Sequence, residues 1–124
     1  MSYKKLEIWR LADSLVVKVH KMSLKELPKF EMYEVGSQVR RSVKSIKSNI
    51  VEGYGRRYKN DFIKFLVYPQ ASLDETVDHI ETLYRTESLK NKALFDDLAT
   101  GLDVLGKKLN KFLQAVERNY QSPR

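Results

Sequence analysis

Arg40, Lys44 and Lys47 stand at i, i+4 and i+7. On a helix that spacing lines three side chains along one face over ~10 Å. A row of fixed positive charge is the chemistry of phosphate-backbone binding, in which neutralised phosphates release condensed counterions. Just beyond it come Tyr54, Arg56, Arg57, Tyr58 and Lys59. Cations interleaved with rings can contact phosphates and stack on unpaired bases. The competing reading is a solvated basic face with its tyrosines folded back onto the protein, because basic stripes are common.

Other chemistries find less material. The chain has no cysteine and two histidines, His20 and His79, so disulfides, zinc–thiolate sites and cysteine nucleophiles are excluded. Glu75 and His79 stand at i, i+4, whereas a di-iron bundle needs Glu-x-x-His at i, i+3 on two helices plus two further glutamates. His20 reads as a surface or boundary residue. Asp74, Glu75, Asp78 and Glu81 read as a solvated acidic face, or as one that meets the basic stripe and neutralises part of it. Gly53 and Gly55 follow a helical pattern rather than a strand and lack the Lys-Ser/Thr of a phosphate loop. They read as a helix stop. No catalytic residue, metal or cofactor is expected.

The charge supports a binding role. Net charge is +7 over 124 residues, and between Gly36 and Lys59 seven cations face Glu52 alone, a local +6. An excess concentrated in one segment points to an anionic partner more strongly than a diffuse one. The opening residues lack a secretory pattern and no long apolar run exists, so the expected setting is cytoplasmic, with no membrane partner.

Four helices are needed to position these residues. Apolar stripes predict them over about 6–22, 32–52, 60–86 and 92–118, with a kink or local break near Pro69. The last carries Leu94, Leu98, Leu102, Leu105, Leu109, Phe112 and Val116 at spacings of three and four, a heptad-like seam. The tail beyond it is expected to fray. Short connections make the expected fold all-α, a single antiparallel up-down-up-down four-helix bundle.

Winding the second helix at ~100° per residue gives it three faces. Val35, Val39, Val43, Ile46 and Ile50 form the core face. Arg40, Lys44 and Lys47 form the cationic face. Gln38, Arg41, Ser45, Asn49 and Glu52 fall on a polar face, where subunit or structural contacts are expected.

The run QVRRSVKSIKSNIVEGYGRR, followed by DFIKFL and ASLDE, resembles the bacterial four-helix-bundle family encoded in intervening sequences of large-subunit ribosomal RNA genes. LEIWRLADSL and LPKFEMYEVGSQ resemble that family's opening. The matching positions are Gln38, Arg40, Arg41, Ser42, Ser48, Asn49, Ile50, Glu52, Gly53, Gly55 and Arg56. The chain departs where the family usually reads Ala-x-Gly-Ser and it has Pro69, Gln70, Ala71 and Ser72. The resemblance implies a bundle without established catalysis. A similar fold serves as the accessory protein of diversity-generating retroelements, a basic pentamer that binds nucleic acid. By that analogy a homo-oligomer, specifically a pentamer, and nucleic-acid binding are implied.

The expectation is therefore a non-enzymatic homo-oligomer that binds RNA or DNA largely without regard to sequence. Contacts are expected from Arg40, Lys44, Lys47, Arg56, Arg57 and Lys59, with stacking by Tyr54 and Tyr58. The alternative is a scaffold or accessory subunit whose basic face docks an acidic partner protein. A carboxylate-based metalloenzyme is the third reading.

Overall fold

The computed structural model describes residues 2–119. A short 3-10 turn, Tyr3–Lys5, leads into helix α1, Glu7–Lys25. A single turn, α2, spans Lys29–Met32. The longer helices α3 (Val35–Tyr54), α4 (Lys59–Arg85) and α5 (Lys92–Asn119) follow. No strand occurs among the described residues. The tail, residues 120–124, lies outside them.

The four long helices form the expected antiparallel bundle. Each packs on its sequence neighbour, and α5 returns beside α1 to close the ring. The stripes explain why. In α1, Ile8, Ala12, Leu15, Val19 and Met22 are buried at spacings of four and three. In α5, Leu98, Leu102, Leu105 and Leu109 are wholly buried. Each such leucine contributes about 1.5–3 kcal/mol relative to exposure.

Boundaries of the first two predicted helices differ from those the sequence predicted: α1 runs on to Lys25 rather than ending near residue 22. The second helix starts at Val35 rather than near residue 32, because the Glu31 carboxylate turns back and accepts the Val35 backbone N–H at 3.1 Å. That satisfies one of the unpaired donors of a helix start. The second Glu31 oxygen accepts from Ser88 Oγ at 2.9 Å, which ties the α1–α3 connection to the α4–α5 connection. Gly36 permits this packing, since a Cβ there would stand 2.7 Å from the Glu31 carbonyl oxygen.

At the other end of α3, Gly53 and Gly55 do not form a left-handed stop. Gly53 is buried inside the helix, and Gly55 caps it at φ −80°, in the right-handed region. Gly53 instead lets α4 approach: an added Cβ would lie 2.9 Å from Phe65 Cβ. The α3–α4 seam also carries hydroxyls. Thr76 Oγ1 donates to Ser42 Oγ at 2.8 Å, and the Ser45 and Ser72 hydroxyls bond at 2.9 Å. Short polar side chains of this kind let two helices approach closely while keeping their buried oxygens hydrogen-bonded.

Helix α4 runs without a break from Lys59 to Arg85, with Pro69 buried within it. Two residues past its end, Glu87 has a left-handed φ of 66°. The Asn91 side chain then caps α5, accepting the Leu94 N–H at 3.0 Å. In the first turn of α5, the hydrogen bond to Asp96 holds the Lys92 ammonium above its usual pKa.

Candidate nucleic-acid interface

The cationic line of α3 divides once the helix is packed. Arg40 is half-buried and points back toward the α1–α3 connection. One guanidinium arm donates to Ser23 Oγ at 2.8 Å, the other to the Met32 carbonyl at 3.0 Å. Ser23 is itself buried and donates to the His20 carbonyl. Arg40 therefore ties α1, α2 and α3 together. Lys47 turns toward α1, where its Nζ lies 2.9 Å from Asp13 Oδ1 and 5.7 Å from the centre of the Trp9 ring. Lys44 alone of the three is exposed, with no hydrogen-bond or ion-pair partner among the described residues. Arg41, one position from Arg40 and on the expected polar face, is exposed beside it.

The cations after α3 sit with aromatic rings. Tyr54, the last residue of α3, and Lys59, the first of α4, are half-buried. Arg56 and Arg57 are exposed between them. The Arg56 guanidinium bonds Glu52 Oε2 at 2.9 Å and lies over the Phe65 ring, 4.5 Å from its centre. Phe65 meets Tyr68 edge-on at 5.6 Å. Arg57 lies 6.0 Å from the centre of the Tyr58 ring, which is 57% exposed. Lys64 is exposed on the same helix, one turn before Tyr68. Lys64 and Tyr68 escaped the sequence reading. Their i, i+4 spacing on the third predicted helix was the available signal.

Part of the polar face of α3 turns toward α4. Asn49 Nδ2 donates to the Ser45 carbonyl and hydroxyl at 2.8 and 3.1 Å, and Ser45 bonds Ser72 across the seam. Gln38 is exposed, and Glu52 pairs with Arg56.

The acids of α4 do not cover the cations of α3. Among the described residues none of Asp74, Glu75, Asp78 and Glu81 forms an ion pair with α3, and Glu75 pairs with His79 on its own helix at 3.2 Å. It is Asp13 of α1 that takes a cation from the stripe. Asp74 and Glu81 instead rim a groove of about 500 Å³ between α4 and α5, with Leu73, Val77 and Leu102 among its apolar lining and Asp103 opposite, paired with Lys107 at 3.1 Å. A contrasting face lies on α1, where Val17 and Leu24 are 47% and 45% exposed among the exposed Lys18, Lys21 and Lys25. No group of three or more His, Asp or Glu among the described residues is placed to hold a metal ion. His20 is exposed. No described helix is long and apolar enough to cross a membrane.

Comparison with known proteins adds a family. The model of the 23S rRNA-intervening sequence protein family matches residues 4–111. No curated protein matches the chain. Among solved structures, a protein of unknown function from the S23 ribosomal protein family of Bacteroides thetaiotaomicron VPI-5482 superposes with a TM-score of 0.79. It is 20% identical, over 86% of this chain and 98% of that one. At that identity the likeness speaks for the fold.

Proposed function

The chain belongs to the 23S rRNA-intervening sequence protein family, and from that premise and its surface charge we propose that it is a non-enzymatic nucleic-acid-binding bundle. The observation that carries this reading is what stays outside after packing. On α3 and the turn after it, Arg41, Lys44, Arg56 and Arg57 are exposed against Glu52. Phosphate contacts fall to Lys44 and Arg57, with Arg41 beside them and the half-buried Lys59 at the edge, while Arg40 and Lys47 contribute to the local field from within the fold. Such contacts position a backbone without reading its sequence.

The test is a fluorescence-anisotropy titration with a labelled structured RNA and a DNA duplex, repeated from about 50 to 200 mM salt, where phosphate-driven binding weakens steeply. Affinity that falls with salt and with Lys44→Ala is the expected result. Absence of binding at the lowest salt refutes the reading and assigns the cations to an acidic protein partner.

The reading includes self-association into a ring, with five copies as the family resemblance suggests. The apolar groove between α4 and α5, with Asp74 and Glu81 on its rim, and the lysine-flanked apolar stripe of α1 are complementary in character, and a contact between unlike faces closes into a ring when its rotation closes. Light scattering on the eluting protein measures the mass directly. A monomer at micromolar concentration removes the oligomer from the proposal and leaves the cationic surface as a monomer's.

A further inference from the structure

Arg56 is held in an unusual way for a phosphate ligand. Glu52 Oε2 accepts from its guanidinium at 2.9 Å, and Cζ lies over the Phe65 ring, 4.5 Å from the ring centre. A phosphate oxygen binds the N–H edge of a guanidinium, and here a carboxylate already occupies part of that edge and repels an incoming anion. The Arg56 side chain is 41% exposed, so part of the guanidinium stays open to solvent above the ring. A flat guanidinium fixed from below and from the side is a ready-made stacking surface, since little conformational freedom remains to be lost when a second ring settles on it.

The surroundings extend the surface. Phe65 is braced edge-on by Tyr68, which is 42% exposed. Gly53 beneath Phe65 lets the ring's base come close to α3, since a Cβ on residue 53 would stand 2.9 Å from Phe65 Cβ. Tyr58 presents a second exposed ring beside Arg57. Lys64 stands one turn from Tyr68, within reach of a strand crossing the rings. Asp61 is the one acid of the first turn of α4 and disfavours a backbone passing directly over the helix start.

From this arrangement we propose that the Arg56–Phe65–Tyr68 platform stacks unpaired bases, so that the preferred ligand is single-stranded nucleic acid rather than a duplex. The inference rests on the nucleic-acid reading above and narrows it. Bases in a duplex are already stacked on one another and offer no face to a ring. Those of a single strand are open, and each stacked base adds a gain that is largely independent of sequence.

Three labelled probes separate the possibilities at one salt concentration: a single-stranded RNA, the same strand with its central bases replaced by abasic sites, and the matching duplex. The single strand is expected to bind most tightly, with the abasic strand weaker by about tenfold. Arg56→Lys keeps the charge and removes the plane, and Phe65→Leu removes the support. Both are expected to bring the single strand down to the abasic level with a much smaller effect on duplex binding. Equal affinity for the intact and abasic strands, or an Arg56→Lys protein indistinguishable from the parent, overturns the platform while the cationic surface stands. Failure of all three probes to bind overturns the nucleic-acid reading itself.

Discussion

The ammonium of Lys47 lies 2.9 Å from the carboxylate of Asp13. The two residues are 34 positions apart, and their contact joins α3 to α1 on the side of Trp9. A cation that lies in line with Lys44 on the helical wheel thus belongs to the bundle's own packing, while Lys44, one turn earlier, faces solvent. The two lysines should separate in experiment. Lys44→Ala is expected to lower the salt slope of duplex binding by about 0.9, one phosphate contact's share, with little change in stability. Lys47→Ala is expected to cost about 0.5–1 kcal/mol of stability, as a half-exposed ion pair does, with a smaller effect on the slope. Equal slopes for the two variants would contradict this division.

Arg40 is predicted to matter for folding more than for binding. Truncation to alanine leaves the Met32 carbonyl and the buried Ser23 hydroxyl without their donor. The expected loss is about 1–3 kcal/mol in urea unfolding. Lysine at this position recovers one arm at most, since it lacks the fork.

Gly53→Ala tests the close approach of α3 and α4. Helix propensity alone favours alanine by about 1 kcal/mol. Against that, the new Cβ lies 2.9 Å from Phe65 Cβ, and neither atom can move by a side-chain rotation. Overpacking of this kind costs about 1–3 kcal/mol, so a net destabilisation of about 1 kcal/mol is expected. A thermal melt that rises instead would show that the helices part without cost.

Glu87→Gly should act in the opposite direction. Its φ of 66° costs a residue with a Cβ about 1–2 kcal/mol. Glycine removes that cost, though its freer unfolded chain returns about 0.4–1 kcal/mol. Since Glu87 is exposed, a gain of about 0.5 kcal/mol in chemical denaturation is the expected balance. Glu87→Ala at the same site should give no gain, which separates backbone strain from loss of the carboxylate.

The outcome for the fold and for the site differs for a physical reason. Apolar periodicity is a property of each helix by itself, so the stripes of Ile8–Met22 and Leu94–Val116 determine four amphipathic helices, and short connections leave few ways to pack them. The excess of charge between Gly36 and Lys59 is likewise fixed by composition. Which cations stay exposed is decided between helices. Asp13 and Ser23 on α1 meet Lys47 and Arg40 only when α1 lies against α3. Gly53 looks like a stop in one dimension and proves to be the point where Phe65 crosses. Glu52 and Phe65 turn Arg56 from one more cation into a fixed plane only because α4 folds back along α3. A linear sequence sets which charges exist, and the partners that fix or release them come from segments it holds far apart.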